Sequence, residues 1–233
     1  MDISVVICAY NEEEFLPDLF TSISGIEDIV FIDHQSTDGT AKLAKELGAR
    51  VYVLPNNYDW PIPEDILNFK DRYGFKPNFN LDTDCYNGTE DRNDGIKLAK
   101  NDWVFCIDCD EIVTWDLPAI KKMLPLCNQI EYLFVHTHDT EGNPAIKFYH
   151  SKLFNRTESK WIGRVHEVVI GDHPRIIKTD KMRLDHWQKP RVARGGYLSS
   201  MEFAVIRDDD LRTKYYLARE YYYRKEYEKA IQF

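Results

Sequence analysis

The sequence has no apolar run long enough to cross a bilayer. A membrane-spanning helix needs about 18 or more largely apolar residues in succession, and every apolar stretch of this chain is far shorter. Met1 is not followed by a basic segment and a long apolar segment, as a secretory leader would require. We therefore expect a protein without a transmembrane segment, located in the cytoplasm.

Basic residues are also scarce relative to acidic ones, with 30 Lys and Arg against 39 Asp and Glu. No basic tract stands out, which argues against binding to nucleic acid. The five cysteines are too few and odd in number for a disulfide framework. Cys106 and Cys109 form a single C-x-x-C with no second copy, which weighs against a zinc or redox centre. No G-G-x-G-T-R loop follows the first apolar run, which weighs against a nucleotidyltransferase.

The chain is organised around an apolar run, residues 103–107, that ends in three acids, Asp108, Asp110 and Glu111. The aromatic and β-branched content of the run predicts a buried strand. Ligands bind beyond the carboxyl ends of strands in open α/β sheets, and two carboxylates two residues apart suit a hard divalent cation. We hypothesise a site for a metal and a diphosphate. The alternative is a solvated strand end followed by a turn.

Strands and helices alternate from the first residue onward. Residues 3–9, 28–33 and 50–54 have the pattern of strands, and residues 41–47 have the pattern of a helix. Asn11 is the expected N-cap of another helix between the first two strands. This alternation predicts an α/β fold built from right-handed β-α-β units around a parallel sheet.

Polar residues follow the first two strands, namely Tyr10, Glu12 and Asp33. Neighbouring parallel strands end at the same edge of a sheet, so a nucleotide base and ribose could bind there. Taken singly, each residue is equally explained as a helix cap or turn residue. Arg92, near the start of a predicted helix, is a candidate contact for a phosphate. Its alternative is an ion pair with a nearby acid.

The middle of the chain is less regular. Residues 55–90 contain four prolines and little periodicity, which predicts a long loop with a helix around residues 64–73. A helix is expected at residues 118–126. Strands are expected at residues 130–137, 145–149 and 152–154. The tail is predicted to be helical from residue 208, and it matches part of a tetratricopeptide repeat.

Three further positions are candidates for chemistry. Glu167 is a candidate general base with His166 as its orienting neighbour, and a salt-bridged surface carboxylate is the alternative. His186 stands at a predicted strand end and is a candidate metal or phosphate ligand, unless it is a core histidine. His136 and His138 have the types but not the placement of metal ligands, because alternation puts both on one face of an exposed strand end.

Five motifs occur in a fixed order, and together they are specific where each alone is weak. They are residues 5–12, residues 32–40, residues 92–93 ahead of 102–103, residues 108–111, and residues 161–167. This set resembles the family 2 glycosyltransferases with the GT-A fold, in the branch that carries a tetratricopeptide tail. The resemblance covers about residues 3–187.

The resemblance implies a mixed, mainly parallel sheet with helices on both faces, followed by a short C-terminal helical hairpin. We expect a GT-A domain over residues 1–205 and the start of a tetratricopeptide-like region over residues 206–233. The implied activity is inverting transfer of a sugar from a nucleoside-diphosphate sugar, with UDP as the nucleotide, aided by Mn²⁺ or Mg²⁺. The acceptor would be a hydroxyl of a saccharide, lipid or protein, and the C-terminal helices could bind a protein partner.

The family's functional residues carry over to this chain by motif. The substrate-binding residues would be Ala9, Tyr10, Glu12, Asp33, Arg92, Asp108, Trp161 and His166. The metal ligands would be Asp108, Asp110 and His186. Glu167 would be the catalytic base, with Asp185 or a loop acid as the alternative. His34 and Gln35 depart from the usual small or acidic residues at their positions. A non-catalytic GT-A-like scaffold that carries a repeat tail is the competing hypothesis.

Overall fold

The computed structural model describes residues 1–55, 58–82, 85–86, 88–138, 141–187 and 197–233. The chain divides into two compact units. The first contains Met1–Pro55, Asp91–Trp161 and Val169–Pro190, and the second contains Asn56–Glu90, Ile162–Val168 and Arg191–Phe233. The expected boundary between residues 205 and 206 lies within the second unit, and the division into domains stays a prediction.

The secondary structure confirms an α/β chain. The strands are β1 (Ile3–Ala9), β2 (Asp28–Asp33), β3 (Arg50–Val53), β4 (Tyr58–Asp59), β5 (Cys85–Tyr86), β6 (Trp103–Cys106), β7 (Glu111–Trp115), β8 (Gln129–His138), β9 (Pro144–Asn155), β10 (Ser159–Ile162), β11 (Val168–Gly171) and β12 (Ile176–His186). The helices are α1 (Leu16–Ser22), α2 (Thr40–Glu46), α3 (Pro63–Tyr73), α4 (Gly88–Lys97), α5 (Leu117–Met123), α6 (Tyr197–Arg207), α7 (Leu211–Tyr223) and α8 (Tyr227–Ala230). Within the described ranges, no helix has the length and apolar character needed to cross a membrane.

The first unit is built on an eight-stranded sheet with the order β3-β2-β1-β6-β9-β8-β12-β7. Strands β3, β2, β1 and β6 are parallel neighbours, and β8 is parallel to β12. Strand β9 is antiparallel to both β6 and β8, and β7 is antiparallel to β12. Six strands therefore run in one direction, and their carboxyl ends share one edge of the sheet. The predicted mixed, mainly parallel sheet is confirmed.

The central strands β1, β2 and β6 are buried on both faces because their side chains alternate between two cores. One core joins Val5, Ile7 and Phe105 to apolar residues of α1 and α5. The other joins Val6, Ile32, Val104 and Cys106 to Ile96 of α4. Continuous apolar runs such as β1 are what this two-sided burial requires. The predicted placement of helices on both faces is thus confirmed.

Helix α4 approaches the sheet closely at Gly95. A Cβ atom at this position would lie 2.6 Å from Cγ1 of Val6 and 3.2 Å from Cγ1 of Ile32. Only a glycine allows the helix backbone to pack at this distance, which is a recurrent use of that residue. The close approach fixes the distance between α4 and the sheet. It thereby also fixes the position of Arg92, one turn earlier on the same helix.

The second unit has an apolar core of its own. The residues 55–90 that were expected to form a loop contribute the predicted helix, α3, and its Phe69 packs edge-on against Phe79 with ring centroids 5.9 Å apart. Helices α6 and α7 add Phe203, Leu217 and Tyr221 to the same core. The C-terminal helical region begins at α6, earlier than predicted. Its resemblance to a tetratricopeptide repeat stays a prediction.

Three local predictions were wrong. Asn11 does not cap a helix, because it has a positive φ of 55° and its amide group bonds to Thr37 instead. The two strands expected at residues 145–149 and 152–154 are one strand, β9, which pairs with β8 on both sides of an irregularity between His150 and Leu153. The helix predicted from the sequence to start at Asp91 is α4, which begins three residues earlier, at Gly88.

At the amino end of β2, Asp28 is buried and fully hydrogen-bonded. It accepts bonds from Ser4 Oγ (2.6 Å), Arg50 Nε and Nη2 (3.0 and 2.8 Å) and the Lys100 N–H (2.8 Å). Burial alone would raise the pKa of Asp28, but these donors outweigh it and lower that pKa. The ionised group therefore ties β1, β2 and β3 to the segment that precedes β6.

We predict that Asp28→Asn lowers the free energy of unfolding by about 3 kcal/mol, because it breaks a buried ion pair. Since the pKa of Asp28 is lower in the folded state, the difference should be complete at pH 7 and should shrink below about pH 4, as the wild-type carboxyl protonates. Urea unfolding at several pH values measures this. The exposed pair of Asp2 with Lys121 supplies the control, Asp2→Asn, which should leave the midpoint unchanged. Equal effects of the two substitutions would contradict the assignment.

Candidate functional site

The sheet topology brings the predicted acids and the histidine to one edge. Strand β2 ends at Asp33, β6 ends two residues before Asp108, and β12 ends at His186. His186 is paired with Glu111, the first residue of β7. Because β2, β6 and β12 run in the same direction, all these positions lie at the carboxyl edge of the sheet, where α/β proteins bind ligands.

Four charged side chains at this edge form what we call the ion-pair cluster: Arg92, Asp108, Glu111 and Lys152. Arg92 Nη2 donates to Asp108 Oδ1 (3.0 Å), and Lys152 Nζ donates to Asp108 Oδ2 (2.8 Å). Lys152 also donates to Glu111 Oε1 (2.6 Å), whose other oxygen accepts the Asp108 N–H (2.9 Å). Two cations thus balance two carboxylates within one hydrogen-bonded group.

The charges of this cluster shift one another's ionisation. Burial would raise the pKa of Asp108, but Lys152 and Arg92 outweigh it and hold that pKa well below its usual range. Burial would lower the pKa of Lys152, but Asp108 and Glu111 raise it above its usual range. Burial raises the pKa of Glu111 in spite of Lys152. Asp108 is therefore an anion, and Lys152 a cation, throughout the physiological range.

Asp110 and His186 form a separate pair beside the cluster. His186 Nε2 lies 3.2 Å from Asp110 Oδ2, and both side chains are largely buried. The hydrogen bond to Asp110 raises the pKa of His186, against burial, which lowers it. The ring of His136 packs edge-on against His186, with centroids 5.3 Å apart. The side chain of His138 lies outside the described residues.

The Asp110–His186 pair offers a carboxylate, which both Mn²⁺ and Mg²⁺ prefer, and an imidazole, which Mn²⁺ accepts more readily than Mg²⁺ does. A carboxylate oxygen and an imidazole nitrogen about 3 Å apart match two adjacent ligands of an octahedral ion with bonds slightly over 2 Å. Across the described residues, no group of three or more His, Cys, Asp or Glu is arranged to hold a metal. Ions of this kind are usually bound through one or two carboxylates together with substrate phosphates, so a two-residue donor set fits them.

Asp33, the last residue of β2, is buried but only half satisfied. Its Oδ2 accepts the Ser36 N–H (3.1 Å), whereas Oδ1 is buried and has no hydrogen-bond partner within the described part of the chain. A buried carboxylate oxygen without a partner is costly. At the ligand-binding edge of the sheet, this oxygen is positioned to accept a hydrogen bond from a bound ligand.

The loops after β1 and β2 are fastened to each other beside Asp33. The carbonyl of Ala9 accepts the His34 N–H (2.9 Å), and the Glu12 N–H donates to Thr40 Oγ1 (2.8 Å). Tyr10 lies between Ala9 and this second contact and is 52% exposed. The backbone on both sides of Tyr10 is thus held in place while its ring stays accessible to a ligand.

Trp161 is buried under Arg92. The guanidinium carbon of Arg92 lies 5.3 Å from the centre of the Trp161 ring, and the indole N–H donates to Cys106 Sγ (3.3 Å). A guanidinium over an indole face is a favourable contact. Trp161 is therefore built to support Arg92, and its predicted contact with substrate stays a prediction.

His166 and Glu167 belong to the second unit. His166 has a positive φ of 52°, its ring stacks on Tyr216 at 3.8 Å, and its Nε2 lies 2.6 Å from the Tyr197 hydroxyl. Arg212 donates to the His166 carbonyl. These contacts fix the backbone from which Glu167 projects. In the first unit the alternative base, Asp185, is paired with Arg183 at 2.5 Å. The role of Glu167 as base stays a prediction.

Lys152 is the functional residue that the sequence analysis missed, together with the role of Glu111 as its partner. A signal for it does exist. Residues 152–154 were predicted as a strand, and a lysine on the buried side of a strand needs a carboxylate partner. The acids after residue 107 were the evident candidates, but nothing in the order of the strands along the chain indicated that β9 would lie beside β6.

Comparisons with known proteins agree with this architecture. Residues 4–62 match the family model described as Glycosyl transferase family 2. An uncharacterized glycosyltransferase of Rickettsia typhi is 29% identical over 139 residues, covering 59% of this chain and 35% of that protein. The poly-beta-1,6-N-acetyl-D-glucosamine synthase of Staphylococcus epidermidis is 27% identical over 121 residues, covering 50% of this chain and 23% of that protein.

A solved structure extends the likeness over nearly the whole chain. The crystal structure of S. aureus TarS 1–349 in complex with UDP-GlcNAc has a TM-score of 0.51 and 14% identity, and the match covers 94% of this chain and 71% of that one. The fold is the GT-A fold. In sequence the chain is similar to glycosyltransferases, and it spans 35% and 23% of the lengths of the two curated relatives named above.

We predict that Asp33→Asn, unlike Asp28→Asn at the other end of β2, changes the free energy of unfolding by less than about 1 kcal/mol, since it removes a half-satisfied charge. It should weaken UDP binding at least about tenfold, which is 1.4 kcal/mol. Urea unfolding and calorimetric titration with UDP measure the two effects. A large loss of stability with unchanged UDP binding would make Asp33 a structural residue.

Proposed function

We propose that this chain carries the catalytic part of an inverting glycosyltransferase. It would move a sugar from a nucleoside-diphosphate sugar to a hydroxyl group of a saccharide, lipid or protein. The relationship to family 2 supports sugar transfer. A UDP-sugar is the proposed donor, because one relative is a synthase of an N-acetyl-D-glucosamine polymer and the TarS structure contains UDP-GlcNAc.

One observation carries this proposal: half-satisfied and ion-paired acids meet at the carboxyl edge of the sheet. Asp33 has a buried oxygen open to a ligand donor, and Arg92 offers a cation over the same edge. The Asp110–His186 pair adds donors for a hard cation. A bound nucleoside diphosphate would need a partner for its base or ribose, a positive side chain for its diphosphate, and ligands for a metal ion. Asp33, Arg92 and the Asp110–His186 pair would fill these three needs.

Residue roles follow from this chemistry. Asp33 would bind the nucleoside together with Ala9, Tyr10 and Glu12, as the family resemblance implies. Asp110 and His186 would hold Mn²⁺ or Mg²⁺. When bound, such an ion supplies positive charge that neutralises the diphosphate leaving group. Arg92 would bind the nucleotide from α4, with Trp161 beneath its guanidinium.

The transfer step itself conserves charge and atoms. The acceptor hydroxyl oxygen forms a bond to the anomeric carbon, and the bond from that carbon to the β-phosphate oxygen breaks. The electron pair leaves with the nucleoside diphosphate, and the hydroxyl proton passes to the carboxylate of Glu167 acting as general base. Attack from the face opposite the leaving group inverts the configuration at the anomeric carbon.

A non-catalytic GT-A-like scaffold is the competing proposal. A scaffold would have no need for the Asp33 oxygen that is buried without a hydrogen-bond partner among the described residues, because such an atom costs stability without a ligand. It would bind no nucleotide with or without Mn²⁺. Calorimetry with UDP therefore separates the two proposals directly.

We predict that Asp110→Asn reduces Mn²⁺-dependent turnover of a UDP-sugar at least about a hundredfold, because it weakens a metal ligand worth several kcal/mol in the transition state. The assay measures release of UDP from a set of UDP-sugars with and without Mn²⁺. The matched control is Asp102→Asn, at the opposite end of β6. This aspartate is exposed, and its ion pair with Arg156 is long, at 3.7 Å.

The control variant should keep the wild-type rate. Wild-type turnover in Asp110→Asn would remove Asp110 from the metal site. The absence of any UDP or Mn²⁺ binding by the wild-type chain would favour the scaffold.

A further inference from the structure

Aromatic and imidazole rings of β8 and β9 form a continuous surface at the carboxyl edge of the sheet. The ring of Phe148 packs against the buried ring of Phe134, with centroids 5.2 Å apart. The imidazole of His150 lies 5.9 Å from the Phe148 ring, and that of His136 lies 6.5 Å from it. Phe148 is nevertheless 43% exposed. We call Phe148 and its two neighbouring histidines, His136 and His150, the ring surface.

The ring surface adjoins the pair that would hold the metal. His136 packs edge-on against His186, with centroids 5.3 Å apart. Strands β9 and β8 lie between β6, which leads to Asp108, and β12, which ends at His186. Because β9 is antiparallel to both β6 and β8, its first residues reach the carboxyl edge, and Phe148 is among them. The ring surface therefore continues directly from the proposed donor site.

The acceptor has to bind close to this metal pair. In the proposed reaction, one oxygen atom separates the anomeric carbon from the β-phosphate, which the ion would bind. The acceptor hydroxyl must come within about 3.5 Å of that carbon before it attacks. Asp33, which would bind the nucleoside, belongs to β2, on the other side of β6 from the ring surface. The nucleoside and the ring surface thus occupy different parts of the same edge.

We propose that the ring surface is the acceptor subsite and that the acceptor is a saccharide. One face of a pyranose ring carries C–H groups, and their slight positive charge is attracted to the negative face of an aromatic ring such as Phe148. The hydroxyl groups around a sugar need hydrogen-bond partners, which the imidazole nitrogens of His136 and His150 would supply. This inference rests on the function proposed above, and it selects one of the three acceptor classes named there.

A lipid or a peptide acceptor would make different demands on this surface. A lipid chain gains its binding energy from contiguous apolar surface, whereas Phe148 has an imidazole on each side. A peptide that extended the sheet would bond to the backbone of β9 and would not require an aromatic side chain at position 148. One exposed aromatic face between two polar rings favours a saccharide over both.

The next residue of β9 provides a matched control. Tyr149 is 44% exposed, almost as Phe148 is, but side chains alternate along a strand, so its ring lies on the opposite face of the sheet. There the ammonium group of Lys178 lies 3.4 Å from the centre of the Tyr149 ring. The substitutions Phe148→Leu and Tyr149→Leu therefore remove equally exposed rings, and only the first ring belongs to the proposed subsite.

The first test measures UDP release from a UDP-sugar with Mn²⁺, using methyl glycosides and disaccharides of common hexoses as acceptor probes. In Phe148→Leu, the KM for the saccharide that the wild type uses best should rise at least about tenfold, while the KM for the UDP-sugar stays within about twofold. Phe148→Trp keeps an aromatic face and should hold the acceptor KM within about threefold of wild type. Tyr149→Leu should match the wild type in both constants.

Two further measurements test the stacking and the hydrogen bonds separately. In saturation-transfer NMR with UDP and Mn²⁺ present, the protons on one face of the pyranose should receive most saturation, and Phe148→Leu should abolish that pattern. His150→Phe keeps a flat ring but loses the nitrogens, so it should raise the acceptor KM at least about threefold. Circular dichroism establishes that each variant is folded.

Several results would overturn the proposal. Equal acceptor KM values in Phe148→Leu and Tyr149→Leu would remove Phe148 from the subsite. If no saccharide probe raises UDP release, the acceptor class is wrong, and stimulation by a long-chain alcohol or by a serine-rich peptide would identify the class instead. A wild-type chain that does not bind UDP in calorimetry refutes the proposed function itself. A chain that binds UDP and gives either of the first two results refutes only the acceptor assignment.

Discussion

The carboxyl edge of the sheet depends on neutralisation of charge inside the ion-pair cluster. Three acids occur within the four residues 108–111, and without counter-ions their mutual repulsion would oppose the tight turn into β7. Lys152 and Arg92 cancel two of these charges from opposite sides. The third, on Asp110, is left to His186. The fold thus separates the acids into a neutral group and a pair with metal-binding chemistry.

The two ends of β2 show how one residue type serves two purposes. Asp28 at the amino end is surrounded by donors that use both of its oxygens, and it holds the first strands together. Asp33 at the carboxyl end keeps one buried oxygen without a partner in the described chain. Proteins tolerate such a local cost where a ligand will repay it. The aspartate at the amino end of β2 therefore stabilises the fold, and the aspartate at its carboxyl end is left available to a ligand.

The sequence was sufficient to predict which acids converge, and for a physical reason. Alternating strands and helices force parallel pairing, and parallel pairing brings Asp33 and Asp108 to one edge wherever the strands lie in the sheet. The partner of Asp108 was not predictable in this way. Lys152 comes from β9, an antiparallel strand that enters between β6 and β8. That position depends on side-chain packing over long sequence separations, which periodicity does not report.

Local backbone geometry was the second feature that the sequence did not predict. Asn11 has the composition of an N-cap, but its left-handed backbone and its bonds to Thr37 serve the contact between two loops. Likewise, the polar residues His150 and Ser151 interrupt the apolar pattern without ending β9, because a strand can continue through a local irregularity in its pairing. In each case tertiary contacts override a preference that is correct on average.

Strand β9 is twelve residues long, but it is paired on both sides only near its carboxyl end. There Leu153 and Phe154 lie between β6 and β8, whereas the first six residues pair with β8 alone and are exposed. Amide hydrogens at the exposed end can exchange with solvent through local opening, and those at the buried end require disruption of the whole sheet. Lys152 directly precedes the part of β9 that is paired on both sides, so its backbone lies next to the part of the strand whose amides exchange last, far from the exposed end.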